Sequence, residues 1–202
     1  MSNFDTLASE WDNNPRRVKL AKKAVAEIKK NVEIHQNMKV LDYGTGTGLV
    51  LLNLQSEVEH VTGMDNSQGM LDVLQKKLEN AKITNVKLQK HDIDKEILPE
   101  NQYDLITINM ALHHIEDTNA FAKKTHKALK KGGYLCITDL VTEDGTFHEN
   151  NNGVRHFGFD TQKLSEILEN NDLKIEKKYI YNEIIKHDKN KKFPIFIIIS
   201  KK

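Results

Sequence analysis

Apolar residues fall along this chain in two successive rhythms. After a polar start containing Trp11, the positions Val18, Ala21, Val25, Ile28 and Val32 recur at spacings of three and four, the stripe an amphipathic helix buries. Pro15 can open that helix, because its missing N–H costs nothing in a first turn. The other face is basic, with Arg16, Arg17, Lys19, Lys22, Lys23, Lys29 and Lys30, and a solvated helix face is a better reading of such a run than a phosphate site. From Met38 short apolar runs take over. MKVLDY, VEHVTGMD, VKLQKHD, YDLITIN and GYLCITDLV read as strands, separated by helical stretches near 47–55, 67–81 and 117–130, with one more near 160–170. Alternation on this scale predicts an α/β fold, a parallel sheet with helices on both faces.

The C-terminal part breaks that alternation. LKIEKKYIYNEIIK and FPIFIIIS are separated only by the polar turn around HDKNKK, which leaves no room for a crossover helix and predicts an antiparallel hairpin. The dense apolar character of the second run puts it in the sheet interior, with Pro194 tolerated at its start. There is no internal repeat and no Pro/Gly/Ser-rich linker, so the 202 residues parse as one domain, 1–202, with 1–37 as an N-terminal helical cap segment.

Composition removes several classes of function. Apolar residues at 38% against 29% charged exclude wholesale disorder. Thirty Lys and Arg against 29 Asp and Glu leave a net charge of +1, so a polyanion or anionic membrane partner would need a local patch. The single cysteine, Cys136, cannot pair within the chain, and no segment resembles a secretory signal. The longest apolar tract, 193–199, falls well short of the about 20 residues a spanning helix needs. These features predict a soluble, cytoplasmic protein with no membrane partner.

The strongest chemical signal is Val40-Leu41-Asp42-Tyr43-Gly44-Thr45-Gly46-Thr47-Gly48, a strand entering a glycine-rich turn. Glycines at alternate positions remove Cβ atoms where backbone must pass close under a ligand, although an ordinary tight turn uses them too. A dinucleotide fingerprint would need a glycine at 49, where this chain has Leu49, so the spacing is wrong for NAD. Asp65 ends the second strand, where a carboxylate can take both hydroxyls of a ribose or cap the helix ahead of Ser67. Asp92 closes the third strand and can accept an exocyclic purine amine or sit as a loop acid. Three acids at neighbouring strand ends suit a cation bearing an adenosine better than a pyrophosphate. S-adenosylmethionine is such a ligand.

In this ordered set the chain resembles the class I S-adenosylmethionine-dependent methyltransferases: the glycine motif 40–48, GMDNSQGML, HDID, YDLITINMALHHIED and LKKGGYLCITDLV. WDNNPRRV, the LHH after the fourth strand and HFGFD look like the small-molecule branch that includes quinone-biosynthesis methyltransferases. The resemblance implies a Rossmann-like, doubly wound, seven-stranded, mostly parallel sheet with an antiparallel C-terminal strand. It further implies that Asp42, Tyr43, Gly44, Gly46 and Gly48 flank the methionine part of the cofactor. Asp65 with Asn66 would hold the ribose, Asp92 and Ile93 border the adenine, and Asn109 lie near the sulfonium.

Departures from the family pattern narrow the reaction. Asn109-Met110-Ala111-Leu112 lacks the Asn/Asp-Pro-Pro-aromatic turn of enzymes that methylate a base or glutamine amide, which disfavours DNA. There is no Pro-Cys pair, and Cys136 in mid-strand reads as an inert thiol. The acids after the fourth strand form no oxygen-rich set, so no metal is expected. The segments able to cover a ligand at the strand ends are the N-terminal residues 1–15 and the loop after the fifth strand, where residues 142–158, with Gly145, Phe147, His148, Gly153, His156 and Phe157, are a candidate lid or an ordinary surface loop. His113, His114, His148 and His156 are candidate bases. Because adjacent side chains diverge, His113 and His114 cannot both face the pocket, and His156 and His114 are the two assigned to catalysis. The expected activity is methylation of a small organic acceptor. RNA or protein methylation, with the basic helix as a docking face, and a non-catalytic S-adenosylmethionine-binding regulator are the alternatives.

Overall fold

The computed structural model describes residues 3–186 and 190–202. Among them, seven strands form one sheet in the order β3-β2-β1-β4-β5-β7-β6. They are β1 (Lys39–Tyr43), β2 (His60–Asp65), β3 (Val86–Lys90), β4 (Tyr103–Asn109), β5 (Leu129–Leu140), β6 (Lys174–Lys186) and β7 (Lys191–Lys201). β1 pairs in parallel with β2 and β4, whereas β7 lies antiparallel between β5 and β6. The expected hairpin and its interior second strand are therefore present; of the turn joining them, residues 187–189 lie outside the described residues. Phe193 and the run from Ile195 to Ile199 are buried, as a strand covered on both faces requires.

Helices cover the sheet in two layers, and the strand period of two decides which side chain meets which layer. Val40, Leu105, Ile197 and Ile199 pack with Ile28 and Val32 at the end of α2 (Pro15–Asn31), and with Leu74 and Leu78 of α3 (Gln68–Asn80). Leu41, Ile106, Ile108, Phe196 and Ile198 pack with Phe121 of α4 (Thr118–Ala128) and with Leu164 and Leu168 of α5 (Thr161–Glu169). Each of these four helices starts on a side-chain cap, from Asn14, Ser67, Asp117 and Asp160, which satisfies N–H groups that the first turn leaves without partners.

Two elements differ from the sequence reading. The stretch 47–55 is a turn followed by two short 3-10 segments, Leu51–Asn53 and Gln55–Glu57. Asn53 Nδ2 donates to the Leu49 carbonyl at 2.8 Å, giving that carbonyl a side-chain partner in place of a helical N–H. β5 begins at Leu129, four residues early, because Leu129 pairs with Tyr103 across a bulge that Gly132 and Gly133 accommodate. Within the segment 1–37, the polar start forms α1 (Asn3–Leu7) and a 3-10 helix, Ala8–Asn13.

Candidate active site

β1 and β4 are neighbours whose following connections depart to opposite sides, the switch point where doubly wound sheets bind ligands. Gly44 has φ +66, and a Cβ there would lie 2.5 Å from Ala111 Cβ. The turns after β1 and β4 can touch only because position 44 has no side chain. Gly46, at φ +53, has nothing within 4 Å of where its Cβ would be, so its surface is open. Gly48 packs on α3, where a Cβ would collide with the Leu74 side chain.

Five acids set the polarity of this half. Asp42 is buried and accepts from the hydroxyls of Thr45 and Thr107, both at 2.7 Å; burial pushes its pKa up to about 6 despite those bonds. Asp65 accepts from Gly46 N at 2.8 Å and Ser67 N at 2.9 Å, and burial raises its pKa. The cap of α3 is Ser67 itself, accepting from Met70 N, so Asp65 ties the glycine turn to the end of β2 instead. Asn66 beside it is exposed. Asp92 pairs with Lys95 at 2.8 Å, which holds its carboxyl below the usual range. Ile93 is buried, and its N–H donates to the Tyr43 hydroxyl at 2.8 Å. The Tyr43 ring meets Phe121 and His91 edge-on within the core, so that side chain positions Ile93. Asn109 closes β4, its Oδ1 accepting from Thr138 at 2.7 Å.

The sequence reading gave the N-terminal residues no specific contacts, and they prove to be fastened over this half. Asp5, the fourth acid, accepts from Ser67 Oγ at 2.6 Å and from Gly69 N at 3.0 Å. Gly69 is small by necessity, because a Cβ would lie 2.9 Å from Asp5 Cα. Asp12 accepts from Thr47 Oγ1 at 2.5 Å and forms an ion pair with Lys77. No sequence spacing signals these contacts, which join residues more than 30 positions apart.

The other half is built from imidazoles. His113 and His114 lie in a 3-10 turn after β4. His113 is buried, with Nδ1 2.7 Å from Asp139 Oδ1, and its backbone N donates to Asp139 Oδ2 at 3.2 Å. Asp139 was not among the expected site residues. Its signal was topological: an acid near the end of β5 beside the turn leaving β4, with Asn109 and Thr138 in register. His114 Nδ1 lies 2.8 Å from the Gly153 carbonyl and its ring meets Phe4 edge-on. His148, in the loop after β5, has ring centroids 5.0 Å from His113 and 5.8 Å from His114. Adjacent His113 and His114 therefore face a common neighbour, with ring centroids 4.2 Å apart, contrary to the expectation that they diverge, because the tight 3-10 turn keeps both rings on one side. Burial pushes the pKa of His114 and of His148 down to about 4, the neighbouring imidazoles acting in the same direction. His156 stands outside this group: Nε2 is 2.9 Å from the Ile115 carbonyl and the ring packs on Phe159. The loop is tied down by Arg155 N and His156 N, which donate to the His113 carbonyl at 2.9 and 3.1 Å. Cys136 is buried in β5, and burial raises its thiol pKa, in keeping with an inert thiol.

Residues 34–192 match the family model described as a methyltransferase domain. The chain is similar to an uncharacterized methyltransferase of Schizosaccharomyces pombe, 30% identical over 151 residues, covering 67% of this chain and 53% of that protein. It is also similar to demethylmenaquinone methyltransferase of Listeria welshimeri, 29% identical over 141 residues, covering 67% of this chain and 60% of that one. The chain thus spans little more than half the length of these relatives. A crystal structure of a SAM-dependent methyltransferase from Aquifex aeolicus shares the fold, with a TM-score of 0.75 and 22% identity over 98% of this chain and 97% of that one.

Proposed function

Because this chain belongs to the methyltransferase-domain family, we propose that it transfers the methyl group of S-adenosylmethionine to a small organic acceptor. The sulfonium supplies a methyl carbon that an acceptor nucleophile attacks in line, so the protein's task is to hold the partners and exclude water. Asp65 suits the ribose. A carboxylate has about four lone-pair directions, and each oxygen takes one backbone N–H from the protein, leaving capacity on each for a hydroxyl. Gly46 presents open backbone for the methionine portion, with Asp42, Gly44 and Gly48 shaping the turn around it. Asp92 and the backbone of Ile93, which Tyr43 fixes, would border the adenine, Asn66 the ribose, and Asn109 the sulfonium side.

The observation that carries the acceptor reading is enclosure. Asp5 and Asp12 fasten residues 3–13 over one half of the strand ends, and the loop 142–158 is tied to the β4 turn over the other half. Such a site takes a small molecule more readily than a macromolecular strand. The name of the demethylmenaquinone methyltransferase relative favours a small acceptor. The basic face of α2 is partly spent internally, with Lys23 on Asn182, Lys29 on Glu57 and Arg17 stacked on Trp11, which weakens the RNA-docking alternative. His114, with His113 and His148, would form the polar wall of the acceptor side, and His156 would act as a positioning residue through Ile115.

The test has two arms. S-adenosylmethionine at about 100 times Kd should stabilise the protein by about 2.7 kcal/mol in thermal unfolding, with no effect of NADH. Labelled S-adenosylmethionine, incubated with the protein and with fractionated metabolites or RNA, should label a metabolite fraction; label in RNA would overturn the acceptor reading, and stabilisation by NADH alone the cofactor reading.

A further inference from the structure

His113, His114 and His148 do more than line a wall. We propose that these three imidazoles form a binding site for a divalent transition metal of the Zn2+ class, with a fourth position open to water or to an oxygen of a bound molecule. Their candidate ligand atoms all lie within 4.8 Å of one another. Tetrahedral zinc with Zn–N of about 2.0–2.1 Å puts ligand nitrogens about 3.4 Å apart, so the set must draw in by about 1.4 Å. His148 can supply that movement because it sits on irregular backbone.

Hydrogen bonds orient the set for ligation. The Asp139 carboxylate 2.7 Å from His113 Nδ1 and the Gly153 carbonyl 2.8 Å from His114 Nδ1 are both acceptors. Each therefore fixes the ring proton on Nδ1 and leaves the lone pair on Nε2, the outer-shell arrangement that metal-binding histidines use. The third residue gives the independent sign: His148 Nδ1 is buried and finds no hydrogen-bond partner among the described residues, a cost that a ligated ion would remove. An all-nitrogen set suits zinc, cobalt or nickel and not magnesium or calcium, which prefer oxygen. The sequence reading expected no metal because it looked for oxygen ligands after β4, whereas the third imidazole arrives from another loop.

The proposal stands apart from the methyltransferase reading, since metal binding is read with neither cofactor nor acceptor. Untagged protein stripped with chelator is titrated with Co2+ alone and followed by visible absorption. One Co2+ per chain with intense tetrahedral d–d bands is expected, lost in His114→Ala and in His148→Ala and kept in His126→Ala, a histidine on α4. Far-UV circular dichroism and stabilisation by S-adenosylmethionine establish that each variant is folded and keep a failure of the cofactor reading distinct. A weak octahedral spectrum in the parent protein, or tetrahedral bands that survive both substitutions, would overturn the site.

Discussion

The two halves of the site at the strand ends bury titratable groups in opposite ways. On the glycine-turn side Asp42 and Asp65 are carboxyls whose pKa burial raises; on the histidine side His114 and His148 are imidazoles whose pKa burial lowers. Both shifts favour the uncharged form. The bonding differs more than the charge. The acids accept from the protein's own N–H and O–H groups and hold the turn's shape, whereas His148 keeps a buried Nδ1 with no hydrogen-bond partner among the described residues. One half is a fixed cradle, and the other retains a buried nitrogen that a ligand can engage.

The cradle is where a substitution should cost most. Gly44→Ala combines a left-handed φ with a 2.5 Å approach to Ala111 and should lose about 3 kcal/mol in urea unfolding. Gly46→Ala, with open space around it, should lose only about 1 kcal/mol yet weaken S-adenosylmethionine binding. Equal losses at the two positions would mean that the turns after β1 and β4 are not in contact.

The next effect is pH-dependent. A carboxyl held at about 6 in the fold, against about 3.9 unfolded, favours folding when protonated. That advantage is full below about pH 4 and disappears as pH rises through 6. Asp42→Asn should therefore gain about 3 kcal/mol on the parent protein between pH 4 and 7, measured by paired urea melts. A constant difference across that range would return Asp42 to ordinary acidity.

Smaller effects separate the two halves functionally. Asp65→Asn should weaken cofactor binding by about 2 kcal/mol in calorimetry, and Asp12→Asn by less, since Asp12 touches only the cap's own anchors. His156→Ala should lower turnover a few-fold at unchanged cofactor affinity, with faster hydrogen exchange in 142–158 as the Ile115 contact is lost. Unchanged exchange and turnover together would make His156 plain surface.

The fold was legible wherever local pattern carries it. The period-two runs from Val40 to Ile199 and the missing room for a helix before Phe193 led directly to the strands and to the reversed β7. What escaped notice depended on partners remote in sequence. Asn53 interrupts a helix through a side-chain bond, Leu129 becomes strand because Tyr103 lies opposite, and Asp5 acquires its meaning only beside Ser67 and Gly69. The glycine turn and Asp65 could be picked out from spacing, because a backbone needing close approach leaves its mark in residue type. The His113–Asp139 pair could not, because it joins two strand ends 26 positions apart.

The insertion of β7 between β5 and β6 also dictates an order of events as the chain is made. Until Lys191–Lys201 emerges, β5 carries an unpaired edge with buried-type residues such as Leu135, Cys136 and Ile137, and β6 has no neighbour to dock on. Such an edge is a template for pairing with another chain, and its closure is a long-range step that slows folding. Newly made protein halted before Phe193 should thus be a client for chaperones that hold exposed strands.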